Sequence, residues 1–158
     1  MEKSSSLRLE EFFLTKLNMK YISGDGNPAD AIAPYNFSMD YDVARRVDDN
    51  RFFKLDFKIK AKPKKGVSGL SIDAELFGVF SFPEGTGENE MQYLVRVNGC
   101  AILYGLLRGQ VAMLSGSFPC GKFNMPTIVM RDRIAAIEKK RQRAEDKKRM
   151  SHNGNGEA

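Results

Sequence analysis

Histidine is almost missing from this chain. His152 is the only one in 158 residues, and it lies in a polar C-terminal stretch. A Ser/His/Asp or Cys/His catalytic arrangement therefore has no base held in place, and a histidine-rich metal site is excluded. Cysteine is scarce too. Cys100 and Cys120 form no CxxC pair and read as two separate reduced thiols, not as a metal site or a disulfide framework. Tryptophan is absent. Uninterrupted apolar runs are short: the longest, Cys100 to Leu107 with one Gly inside, falls far below the ~20 residues that cross a bilayer, so membrane insertion is not expected. The N-terminus shows no basic stretch followed by an apolar one, which leads to the expectation of a cytoplasmic protein. Gly85-Thr86-Gly87 is too short for a phosphate loop and lacks the accompanying lysine. No catalytic residue, cofactor or metal is expected, and the chain is not read as an enzyme.

What is present suits one folded domain. The sequence is 42% hydrophobic and 28% charged, which excludes disorder throughout and allows a real core at this length. The net charge of +5 is unevenly spread. Residues 1–130 carry 16 basic and 15 acidic side chains, whereas Arg131 to Met150 carries nine basic and four acidic ones. The basic character thus belongs to one C-terminal segment.

Four stretches read as strands. Between Leu7 and Tyr21 the apolar residues Leu7, Leu9, Phe13, Leu17, Met19 and Tyr21 share one parity that Phe12 and Leu14 break, predicting one long strand or two joined by a bend. A loop is expected from Gly24 past Pro28 to Pro34. Phe37, Met39, Tyr41 and Val43 alternate with polar residues, and Phe53, Leu55, Phe57, Ile59 and Ala61 alternate with Lys54, Asp56, Lys58, Lys60 and Lys62. Pro63-Lys64-Lys65-Gly66 ends the third strand, and a fourth runs from Leu70 to about Phe82. Short connections predict an antiparallel meander of the last three. The outward Asp40, Asp42, Asp56, Asp73 and Glu75 are expected to pair with the lysines across the sheet.

A helix is predicted from Glu90 to Ser115. Met91, Leu94, Val95, Ala101, Ile102, Leu106 and Met113 recur at helical spacing, and Val97, Tyr104, Leu107, Val111 and Leu114 make the opposite side apolar as well. One sheet covers one of these faces. The second face is expected to meet another copy of the chain, with Gly105 and Gly109 allowing close approach, which makes Tyr104, Gly105, Leu107, Gly109 and Val111 candidate oligomer contacts. An irregular core helix of a monomer is the alternative. Asp132 to Met150 predicts a charged helix with a thin stripe of Ile134, Ile137 and Ala144, and Ser151 to Ala158 a disordered tail. The expected boundaries are 1–130, 131–150 and 151–158.

Eight methionines and eleven phenylalanines suit either a core or an adaptable binding groove. Here a resemblance helps. Asn98-Gly99-Cys100-Ala101-Ile102-Leu103-Tyr104-Gly105-Leu106-Leu107-Arg108-Gly109-Gln110, followed by Gly116-Ser117-Phe118-Pro119 and Phe123-Asn124-Met125-Pro126, resembles the SecB family of export chaperones. Phe12 to Met19, Phe37 to Asp40 and Phe77 to Phe80 match in register. The resemblance implies an α+β fold: a four-stranded antiparallel sheet, a long helix covering it and a second C-terminal helix. It further implies a homotetramer built as a dimer of dimers, and an ATP-independent holdase that binds unfolded preprotein polypeptides in apolar grooves for export. Tyr35, Phe37 and Met39 fall where the family lines its client groove. Glu75 falls at one position of the acidic surface that meets the translocase motor SecA, but Lys16 and Lys20 stand where that surface is otherwise acidic. A SecB-like chaperone dedicated to another partner, such as an antitoxin, is therefore an alternative. A nucleic-acid binder using the basic C-terminal helix is a lesser one, because the lysine row on the third strand has its aromatic neighbours on the other side.

Overall fold

The computed structural model describes residues 6–25 and 35–153. Two compact units are distinguished, Met1–Pro126 and Thr127–Ala158. The loop expected between Gly26 and Pro34 and the tail from 154 onward lie outside the described residues.

The first unit contains four antiparallel strands, β1 (Arg8–Ile22), β2 (Tyr35–Arg45), β3 (Phe52–Pro63) and β4 (Gly69–Ser81), in the order β1-β4-β3-β2. Strict alternation on β3 buries Phe53, Leu55, Phe57, Ile59 and Ala61 on one side and turns the lysines to the other. The β3–β4 turn closes at Gly66, whose φ of 82° lies in the left-handed region, with the Val67 N–H donating to the Lys64 carbonyl at 3.0 Å.

β1 is one strand, and its broken parity has a cause. The pairing with β4 slips between Leu9 and Glu11 and again between Leu14 and Lys16, the signature of two bulges. Each bulge switches the alternation. Leu9, Phe12, Leu14, Leu17, Met19 and Tyr21 consequently share the face of Phe80, Leu76, Ala74, Ile72 and Leu70, while Phe13 points to the other side opposite Phe77. Side chains complete the bulges: the Thr15 hydroxyl donates to the Glu75 carbonyl at 3.0 Å, and the Ser81 hydroxyl donates to the Glu10 carboxylate.

The helix that follows is continuous from Glu88 to Ser117. It comprises α1 (Glu88–Leu94), a π-helical turn (Val95–Gly99), α2 (Cys100–Leu114) and a final 3₁₀ turn (Ser115–Ser117). By length and composition it would suffice to cross a bilayer, which the short apolar runs did not suggest. Met91, Val95, Cys100, Leu103, Tyr104, Leu107 and Val111 are instead buried, and both the π-turn and α2 pack on β3 and β4. The approach is close where side chains are missing. A Cβ on Gly99 would lie 2.9 Å from Leu55, and one on Gly78 would lie 3.0 Å from Leu103.

The π-turn corrects the predicted helix faces. An extra residue in one turn delays the phase of everything after it, so a stripe expected through Ile102, Leu106 and Met113 becomes one through Leu103, Leu107 and Val111. Tyr104, Leu107 and Val111 are therefore core of the protomer rather than contacts with a second copy, and Met113 is 73% exposed. Gly105 and Gly109 lie on the exposed side of α2, with Ala101 and Ile102.

The second unit is dominated by α3 (Met130–Asn153). Its last turn includes Ser151 and His152, which sequence reading assigned to a tail. Helix formers and the Gln142–Asp146 hydrogen bond at 3.2 Å, one turn apart, carry the helix beyond Met150.

Candidate functional site

Register places Tyr35, Phe37 and Met39 opposite Pro63, Ala61 and Ile59. All three share the helix side of β2, an outermost strand, and all are half-buried, whereas Tyr41 further along is fully buried. The alternation of β2 thus runs into the core at one end and stays accessible at the other.

A residue not singled out as a binder joins them. Phe123, from the loop after the helix, packs its ring 5.0 Å from that of Tyr35, and Phe37 lies 6.5 Å from Tyr35 on the other side. Its sequence signals are a large aromatic inside a polar, Gly- and Pro-bearing stretch and its place in the Phe123-Asn124-Met125-Pro126 segment of the resemblance, neither of which marks it as a binder. Ser115, fully buried, holds the loop by accepting the Phe123 N–H on its hydroxyl at 2.7 Å. Gly121, at φ 72°, turns the chain. Further along, the Arg108 Nε–H donates to the Met125 carbonyl at 3.0 Å and the Tyr104 hydroxyl donates to the Pro126 carbonyl. These straps account for the Tyr104 and Arg108 positions of the quoted motif: both tie the loop to the helix.

Tyr35 is itself positioned. Its hydroxyl oxygen accepts the Leu70 N–H at 3.1 Å, and it occupies the space a Cβ on Gly69 would need. Burial of the phenol pushes its pKa above the usual value. The result is an apolar surface with one polar anchor, Tyr35–Phe37–Met39–Phe123, lying along a strand at the edge of the described sheet. Such a surface offers dispersion and apolar burial, and among the described residues no group of three or more His, Cys, Asp or Glu could hold a metal ion. Neither Cys100 nor Cys120 is in a disulfide; the first is buried and the second exposed.

More apolar surface is uncovered elsewhere. On the helix side of β1, Phe12 and Leu14 are 36% and 38% exposed. On the opposite side of the sheet, Phe13 is 48% exposed, with its ring 5.2 Å from that of Phe77. The Lys54 ammonium sits 4.6 Å from the centre of the Phe77 ring, and the Arg46 guanidinium 5.3 Å from that of Phe52. Beside them Ala44, Arg46, Phe52, Lys54 and Val79 line a shallow cavity of about 260 Å³.

The same outer side carries Glu75 and the lysines. Lys16 pairs with Asp73 at 2.8 Å, Lys58 approaches Glu75 at 3.7 Å, and Lys54 approaches Asp56 at 3.2 Å. The Lys16 hydrogen bond holds the Asp73 carboxyl below its ordinary value and raises the pKa of Lys16 in turn. Glu75 is thus part of a neutralised mosaic, not of an acidic surface.

No protein-family model and no curated protein matches the chain in sequence. Among solved structures, the chain is similar to the Mycobacterium tuberculosis Rv1957 SecB-like chaperone, in complex with a ChAD peptide from the Rv1956 HigA1 antitoxin. The TM-score is 0.52 at 14% identity, covering 78% of this chain and 91% of that one. A protein of unknown function from Streptococcus agalactiae is similar with a TM-score of 0.44 at 9% identity, covering 77% and 97%. The likeness to the first is one of fold: a four-stranded antiparallel α+β sheet with two helices, SecB-like in architecture.

Proposed function

We propose that this protein is an ATP-independent holdase that retains unfolded polypeptide segments on the apolar surface of Tyr35, Phe37, Met39 and Phe123, without enzymatic activity. The observation that carries this reading is the half-buried aromatic row on an outermost strand, in a protomer with SecB-like architecture. Apolar burial is worth roughly 25 cal/mol per Å², so ~400 Å² of contact contributes on the order of 10 kcal/mol before ordering costs offset much of it. Folded proteins expose too little apolar chain to compete.

Assembly as a homotetramer, a dimer of dimers, belongs to the same proposal. The contact is the exposed side of α2, through Ala101, Ile102, Gly105, Gly109 and Met113. A Cβ on Gly105 or Gly109 would meet nothing within 4 Å among the described residues. Packing within the protomer gives no reason for two glycines in a helix interior, each costing about 1 kcal/mol relative to alanine. Close approach of a second helix supplies one.

The outer side of the sheet favours a dedicated partner over the translocase motor SecA, because Lys16 and Lys58 face the acids that would otherwise form a docking surface. A segment of an antitoxin, the kind of peptide bound by the Mycobacterium tuberculosis protein, is the corresponding client class. The test is suppression of aggregation of a denatured client in the absence of nucleotide, with wild type and Phe37→Asp compared at matched oligomer mass. Wild type suppresses aggregation and the variant loses most of that capacity. Equal suppression by the two refutes the assigned surface, and no suppression by wild type refutes the function.

A further inference from the structure

Projecting α3 at 3.6 residues per turn separates its charges by sign. All four acidic residues, Asp132, Glu138, Glu145 and Asp146, fall on one side together with Arg131, Lys139 and Arg149. The remaining arc of roughly 220° holds Arg133, Lys140, Arg141, Arg143, Lys147 and Lys148 and no acid at all. Every residue from 139 to 153 is exposed, as is Arg133. A helix made soluble by interspersed charge would mix the signs around its circumference. This one is close to neutral on one side and sixfold positive on the other.

We propose that this acid-free side of α3 docks on double-stranded DNA through its phosphates, without reading sequence. Charge complementarity selects a polyanion, and three further features select the duplex. The helix is 24 residues long, about 36 Å, close to one turn of DNA, and an α-helix fits the ~12 Å major groove. It has no Phe, Tyr or Trp on which single-stranded bases could stack. It also lacks the continuous apolar face that seats a helix in an anionic membrane: on the basic side Met130 and Ile134 are buried in the first turns, and beyond them Ile137 and small Ala136 and Ala144 are the apolar residues. Gln142 and Asn153, the side chains on the helix suited to reading adenine, both lie on the acidic side.

The test is fluorescence anisotropy of the full chain with two labelled 24-base-pair DNA duplexes of unrelated sequence, from 50 to 300 mM salt. Both duplexes bind with similar affinity, and five or six phosphate contacts give a log–log salt slope of about −4 to −5. Lys140→Glu/Lys147→Glu weakens binding by about tenfold or more and flattens the slope by about 2, whereas Lys139→Glu/Arg149→Glu, the same change in net charge on the other side, does neither. Circular dichroism verifies that both variants keep their helix content. Equal losses in the two variants, a slope shallower than about −2, or tighter binding to single-stranded RNA or to vesicles containing phosphatidylserine would overturn the proposal. Aggregation suppression is unchanged in both variants, so failure here is separable from failure of the holdase reading.

Discussion

Replacing Gly105 and Gly109 by glutamine gives opposite results according to whether the outer side of α2 is covered. In the protomer alone, neither new side chain meets an obstacle, because the space beyond both Cα atoms is open among the described residues. Removing a helix-interior glycine then gains about 0.5–1 kcal/mol each, or roughly 1–2 kcal/mol for the pair. For a chain of this size that corresponds to a rise in melting temperature of ~2–8 °C. If two helices cross at these glycines, the glutamines instead hold the backbones apart, and the contact is lost together with the stability that association lends at a given concentration. The measurement is light scattering at several protein concentrations, paired with thermal unfolding. The expected outcome is a smaller particle whose melting temperature no longer depends on concentration. An unchanged particle mass with a melting temperature raised by several degrees would refute assembly through this face.

Two further outcomes follow from the strap and the ion pairs. Ser115→Ala leaves the Phe123 N–H without its 2.7 Å acceptor, costing about 1–2 kcal/mol, and client capture falls further than the modest loss of melting temperature implies because Phe123 leaves Tyr35; full capture with a loosened loop, read by hydrogen exchange at Phe123, would contradict its place in the site. Asp73→Asn costs less than about 1 kcal/mol at neutral pH, since the pair is largely in water. The Asp73 carboxyl is held below its ordinary value, so its contribution is complete above the unfolded carboxylate value near 4 and disappears as pH falls through the lower folded one. The difference in stability between wild type and variant, followed by urea unfolding from pH 7 to pH 2, therefore shrinks to nothing at the acid end; a difference that grows on acidification would exclude the Lys16 pairing as its source.

Legibility followed regularity. β3 alternates without interruption, and its buried set Phe53 to Ala61 was readable residue by residue. β1 was not, because bulges at Glu10 and Thr15 are set by pairing with β4, and pairing leaves no local trace beyond the broken parity of Phe12 and Leu14. The helix existed where its pattern placed it, yet the side turned inward was mistaken past Gly99, because the π-turn at Val95–Gly99 shifts the phase and the helix's own periodicity does not reveal it. Phe37, Met39, Tyr41 and Val43 were legible as one side of a strand, whereas Tyr35 entered only through the family resemblance. Phe123 was not, since its position depends on Ser115, Arg108 and Tyr104 folding a loop back over the sheet.

The two bulges bear on fibril formation. β1 and β2 are the outermost strands among the described residues, and a margin fifteen residues long would ordinarily template the addition of any extended chain, including copies of itself. On β1 the spare donors and acceptors do not form one even ladder. Glu10 and Thr15 dislocate it twice, so an incoming strand finds no continuous match: four residues, 11–14, lie between the dislocations and seven, 16–22, beyond the second. Greasy side chains there can be offered for contact while zipper-like stacking along the full length of the strand is interrupted.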